Sequence, residues 1–128
     1  MILVDSSVWI DYFNGVAVPK TDMLHELLGE QPLIIGDIIL TEVLQGFRFG
    51  NDFNTAKALL SLLPCYTLCG PELAIQSALN FRQLRKKGIT IRKTNDVIIA
   101  TFCIYHDYAF HSDSDFEPFQ RHLGLRLL

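Results

Sequence analysis

The sequence predicts an α/β fold with a central, mainly parallel sheet of about five strands flanked by helices. Short apolar runs recur along the chain, and stretches with apolar residues at helical spacing separate them. The runs are almost wholly apolar instead of alternating, as expected of strands covered on both faces. Strands joined through helices are parallel, because a crossover returns the chain to the edge it left.

The first run, Met1-Ile2-Leu3-Val4, stops at Asp5, which Ser6 and Ser7 follow. In parallel sheets ligands bind outside the carboxyl ends of the strands, where Asp5 falls. The plainer alternative is that Asp5 only caps the next helix. That helix is expected from Ser6 to about Asn14, with Val8, Trp9, Tyr12 and Phe13 on its apolar side. A second helix is expected from Thr21 to Gly29, and then a strand over Pro32 to Ile35 ended by Gly36.

Asp37 is placed to cap a helix reaching about Arg48. Glu42 lies at the border of its apolar face, on the line Ile38, Glu42, Gly46. Gly46 inside a helix suggests close packing or room beside the carboxylate. A helix from Asn51 to Leu63 stops at Pro64, and Cys65 to Leu68 is expected as a strand. Pro71 suits the first turn of a long helix running to Lys87, with Leu73, Ile75, Ala78, Leu79, Phe81 and Leu84 as its apolar residues and Gly88 as its stop. A helix beginning near Thr94 carries Asp96 in line with Ile99, Ala100 and Cys103. Stabilisation of a first-turn acid by the helix dipole does not explain why it shares a line with the core. Tyr108 to Phe110 is a further strand, followed by His111, Ser112, Asp113, Ser114 and Asp115. A short helix from Asp115 to His122 and a strand from Leu125 to Leu128 complete a single domain over residues 1–128.

Composition narrows the class. Of the 128 residues, 49% are apolar and 20% charged, which describes a globular chain and not a disordered one. The apolar runs are too short to cross a bilayer, and the start lacks the basic region of a signal peptide. Three cysteines without zinc-type spacing fit a reducing compartment, so a cytoplasmic protein is expected. A net charge of −3 does not advertise nucleic-acid binding, yet six of the eleven Lys and Arg residues fall between Arg82 and Lys93. No acid interrupts the stretch from Leu73 to Asn95. A solvated helix end accounts for such a patch as readily as a phosphate surface does.

Acids therefore follow two strand ends and flank two helix faces. Carboxylates gathered without basic partners repel one another, and oxygen-only ligands select a hard cation such as Mg²⁺ or Mn²⁺. Such ions activate water and clamp the attacking and leaving oxygens in phosphodiester hydrolysis. Nothing in the sequence suggests a Ser-His-Asp or Cys-His arrangement, and the four histidines lack zinc-binding spacing.

Four stretches in order carry a resemblance: Val4-Asp5-Ser6-Ser7-Val8-Trp9-Ile10-Asp11, Thr41-Glu42-Val43-Leu44-Gln45-Gly46, Thr94-Asn95-Asp96-Val97-Ile98-Ile99-Ala100, and His111-Ser112-Asp113-Ser114-Asp115-Phe116. With them the chain resembles a PIN-domain endoribonuclease, most closely a VapC-type toxin of a type II toxin–antitoxin pair. The resemblance implies a PIN-like fold and an acidic catalytic quartet of Asp5, Glu42, Asp96 and Asp113. It implies Mg²⁺ or Mn²⁺ held by Asp5, Asp96, Asp113 and the accessory Asp115, with Ser6 beside the site as a candidate substrate contact. It further implies RNA hydrolysis to a 5′-phosphate and a 3′-hydroxyl, inhibition by a cognate antitoxin, and a homodimer or a toxin–antitoxin hetero-oligomer. Arg82, Arg85, Lys86, Arg92 and Lys93 are the candidate phosphate contacts. Trp9, Tyr12, Phe13, Leu24, Leu27 and Leu28 are expected to pack in the core or to line an antitoxin groove. His111 occupies a slot often filled by a hydroxyl residue, so it either touches substrate or caps the strand. A PIN nuclease of ribosomal RNA maturation is the nearest alternative. A receiver-like phosphoacceptor and a PIN scaffold without activity rank below it.

Overall fold

The computed structural model describes residues 1–112 and 115–128; Asp113 and Ser114, and the roles assigned to Asp113 above, lie outside the described residues. Strands β1 (Ile2–Val4), β2 (Leu33–Gly36), β3 (Cys65–Tyr66), β4 (Ala109–His111) and β5 (Arg126–Leu127) form one sheet in the order β3-β2-β1-β4-β5. Every neighbouring pair is parallel. The helices are α1 (Ser6–Phe13), α2 (Pro19–Leu27), α3 (Asp37–Gln45), α4 (Gly50–Leu60), α5 (Pro71–Lys86), α6 (Thr94–His106) and α7 (Glu117–Leu123).

The strand order decides how the helices divide. From β1 the chain moves outward through β2 to β3, then returns past β1 to β4 and on to β5. Right-handed crossovers put α1 to α4 on one face and α5 to α7 on the other. The packing agrees: α1 meets α2 and α3, α3 meets α4, and α5 meets α6 and α7. The direction of winding reverses between β1 and β4, so a crevice is expected outside their carboxyl ends. Asp5 and Ser112 are the residues that leave those two ends.

The central strands are buried along their whole length, as their apolar runs require. The outer strands are shorter than expected: only Cys65–Tyr66 of the Cys65 to Leu68 run and Arg126–Leu127 of the last one are paired. Edge strands have one neighbour, so pairing ends sooner.

Two expectations fail for tertiary reasons. Gly46 is the exposed C-cap of α3 instead of an interior residue, and among the described residues no side chain crowds it. The tight glycine is Gly36, where a Cβ would stand 2.4 Å from the side chain of the fully buried Leu68. Gly36→Ala should therefore cost about 1–3 kcal/mol through overpacking. A denaturant midpoint unchanged from wild type would contradict it.

The second failure concerns α5. Its buried residues are Leu73, Ser77, Asn80 and Leu84, whereas Ile75 and Leu79 are 65% and 51% exposed. Asn80 can be buried because its Nδ2 donates to Thr101 Oγ1 of α6 at 3.0 Å and its Oδ1 accepts from Gln76. A polar pair between two helices thus sets the inward face that an apolar count assigns elsewhere. On the opposite layer Trp9 and Leu24 are wholly enclosed, while Tyr12, Phe13, Leu27 and Leu28 pack half-buried against the core.

Candidate active site

Asp5 serves two purposes with one carboxylate. Its Oδ1 accepts the Ser6 N–H at 2.8 Å, which caps α1, so the plainer reading holds as far as it goes. Its Oδ2 accepts the Ser112 hydroxyl at 2.8 Å and, more distantly, the Ser7 hydroxyl at 3.4 Å. Asp5 and Ser112 are both buried. The Asp5 N–H also donates to the His111 carbonyl, so main chain and side chain together lock the end of β1 to the end of β4. A buried carboxylate needs such donors to stay charged.

Glu42 on α3 and Asp96 in the first turn of α6 face the same ground. Asp96 is half-buried, and its carboxyl is held above the usual carboxylate range. Burial is the first cause, followed by the negative charge of Asp5; Lys93 opposes the shift and Glu42 adds to it. Carboxylates at the end of β1, on α3 and on α6 therefore act on one another. Glu42 Oε1 is shielded from solvent and has no hydrogen-bond partner among the described residues. Beneath them the enclosed Cys103 thiol is pushed up to about 12, first by burial and then by Asp5, which makes it core and not chemistry.

Asp96 also lines a cleft of about 370 Å³ with Arg92, Lys93 and the exposed Asp115. Asp115 Oδ1 accepts the Glu117 N–H at the start of α7, so that helix begins two residues later than expected. Arg82 and Arg85 do not join this group; they line a separate cleft between α5 and α6. Lys86 is exposed at the end of α5. The basic stretch is thus divided in space, with Arg92 and Lys93 beside the acids and the α5 cations to one side.

His111 is wholly buried, and its ring Nε2 is 2.9 Å from the Lys20 carbonyl. A carbonyl only accepts, so Nε2 carries the proton, and His111 ties β4 to the first turn of α2. Sequence reasoning missed Ser112, the hydroxyl one residue further on, which makes the contact to Asp5. The Asp5-Ser112 separation of 107 positions leaves no local signal, and only the β1–β4 pairing brings them together.

The donors suit a hard divalent ion. They are all oxygens, one of them is a buried orphan, and their mutual repulsion is a cost that a cation relieves. Among the described residues no three His, Cys, Asp or Glu side chains enclose an ion by themselves. Second-sphere donors orient ligands, so Ser112→Ala should weaken Mn²⁺ affinity about 10- to 100-fold while the protein stays folded. Calorimetric titration checks it, and an unchanged affinity would remove Ser112 from the site.

The fold and these acids define a class. The PIN-domain family profile matches residues 2–121, and the chain belongs to that family. Among curated relatives it is 30% identical to the VapC ribonuclease Mb1587 of Mycobacterium bovis, over 98% of this chain and 96% of that one. The same identity and coverage hold for ribonuclease VapC11 of Mycobacterium tuberculosis. Among solved structures, VapBC2 of Rickettsia felis bound to a DNA fragment from its promoter superposes with a TM-score of 0.77 at 20% identity, covering 100% of this chain and 98% of that one. DNA-bound VapBC of Salmonella typhimurium gives 0.76 at 17% identity, covering 99% and 96%. These structures establish the fold.

Proposed function

We propose that the chain is a divalent-metal-dependent endoribonuclease, the toxin of a type II toxin–antitoxin pair. The observation that carries this reading is Asp5, buried at the switch point of the parallel sheet and bonded to Ser112, with Asp96 near enough to feel its charge and that of Glu42. The curated VapC ribonucleases, similar along nearly the whole chain, support the substrate class. The VapBC complexes among the structural neighbours support an antitoxin partner.

In this reading Asp5, Asp96, Asp113 and Asp115 hold Mg²⁺ or Mn²⁺, and Glu42 completes the catalytic quartet with Asp5, Asp96 and Asp113. The ion supplies water activation and charge neutralisation at the scissile phosphodiester. The chain does the rest. Ser112 and the α1 N-terminus fix the Asp5 carboxylate, and Ser6 borders it. Asp96, whose carboxyl is held above the usual range in the metal-free protein, would give up its proton as it takes the ion. Arg92 and Lys93 line the Asp96 cleft and attract the RNA backbone to an acidic protein. Among the described residues no helix is long and apolar enough to cross a membrane, and a cytoplasmic enzyme working as a homodimer, or as a hetero-oligomer with its antitoxin, fits this function.

Purified protein incubated with total RNA tests the reading. Cleavage is expected with Mg²⁺ or Mn²⁺, with 5′-phosphate ends, and is expected to stop on chelation or on adding the cognate antitoxin. Cleavage indifferent to chelation would overturn the assigned chemistry.

A further inference from the structure

The cleft between α5 and α6 has no part in the site described above. It measures about 460 Å³, within the ordinary range of small-ligand sites. Ala78 and Phe81 of α5 and Val97 and Ile98 of α6 form apolar walls. Two cations stand on it, Arg82 and Arg85, and both are exposed. Among the described residues neither guanidinium makes a salt bridge; the ion pairs formed are Arg121–Glu117 and Arg126–Asp107. The Arg85 guanidinium carbon lies over the Phe81 ring, 5.4 Å from its centroid, so a cation already stands at the cleft wall. Ser77 also lines the cleft; it is 6% exposed, and its Oγ has no hydrogen-bond partner among the described residues.

Apolar walls, two unpaired cations and an unsatisfied hydroxyl call for a ligand with a flat apolar body, hydrogen-bonding edges and a negative charge. A nucleotide has all three. The position fits as well. On α6, residues advance by about 100° each, so Val97 and Ile98 lie on other sides of the helix from Asp96 while sharing its first turns. Thr94 lines the cleft and Asp96 stands two residues further along α6, so cleft and acids are served by the same helix start.

We propose that the α5–α6 cleft is a nucleotide subsite, taking one unpaired base of the RNA between Phe81, Val97 and Ile98 with its phosphate on Arg82 and Arg85. The proposal deepens the ribonuclease reading and rests on it for the identity of the polymer. Recognition there selects a single-stranded or splayed nucleotide, because a paired base has no free face to insert. The site fixes where along the strand the acids cut.

Ala78 is exposed, so Ala78→Trp fills the cleft without disturbing the core. The test follows the methyl NMR signals of Ala78, Val97 and Ile98 in the full chain during titration with each of the four nucleoside 5′-monophosphates and, separately, with inorganic phosphate. At least one nucleotide is expected to shift all three signals saturably. Inorganic phosphate should leave the walls unmoved, and Arg82→Gln/Arg85→Gln should weaken the response. In Ala78→Trp the Val97 and Ile98 response should vanish, and kcat/KM on RNA should fall about 5- to 100-fold, the effect of losing one stacked base. Methyls unmoved by all four nucleotides would overturn the subsite, as would an Ala78→Trp enzyme that cuts RNA as wild type does. If the methyls answer only to the antitoxin, the cleft belongs to a protein segment and the proposal is wrong. If nucleotides bind there but the protein cuts no RNA, the ribonuclease reading fails and the nucleotide site stands.

Discussion

Asp96→Asn should lose RNA cleavage by about 10²- to 10⁴-fold and yet unfold at a higher temperature than wild type in metal-free buffer at pH 7. Both effects come from one cause. Asp96 sits half-buried within the field of Asp5 and Glu42, so its charged form is disfavoured in the folded protein. The folded state therefore holds the Asp96 proton more tightly than the unfolded chain does. Metal-free stability is full below the ordinary carboxylate range and declines as pH rises through the raised value. Asn cannot ionise and escapes that decline. The advantage of the variant should shrink as pH falls into the carboxylate range, where wild-type Asp96 becomes neutral. Thermal melts in chelator across pH check the stability half, and a cleavage time course checks the other. A less stable variant would show that Asp96 is held by favourable contacts instead of repulsion.

Trp9→Ala should cost about 3–5 kcal/mol, the range for truncating a buried tryptophan. Trp9 has no exposed surface and packs stacked against Phe13 and edge-on to Tyr12. Phe13 in turn meets Phe47, just beyond α3, so the ring cluster joins the helix that follows Asp5 to the neighbourhood of the helix bearing Glu42. For a chain of this length the loss corresponds to a melting temperature lower by roughly 10–20 °C. Trp9→Phe should cost far less, because Trp9 Nε1 is buried without a hydrogen-bond partner among the described residues and phenylalanine discards that group. Equal losses for the two variants would mean that the indole N–H has a partner.

These contacts also mark what the sequence can and cannot disclose. Asp5 stood out because a buried apolar run ended on it, and Asp96 because it headed a line of core residues. Such signals are periodic and local, so they survive in one dimension. The parallel sheet was legible for the same reason. Ser112, the His111–Lys20 link and the Gly36–Leu68 contact were not, because each joins residues 32 to 107 positions apart and depends on strand pairing or helix packing. The inward face of α5 was misjudged because Asn80 and Thr101 satisfy each other, an arrangement that hydropathy cannot see. The basic stretch looked continuous along the chain, yet the turn after α5 sends Arg82 and Arg85 to one cleft and Arg92 and Lys93 to another.

In the proposed function, carboxylates from separate elements are crowded together to hold a divalent ion. Calorimetric titration of Mn²⁺ into metal-free wild type and Asp96→Asn, in parallel, tests it most directly. Saturable binding to wild type, tighter as pH rises because the ion displaces the Asp96 proton, and markedly weaker binding to the variant are predicted. Binding of equal strength to both proteins, or no binding to wild type, would contradict it.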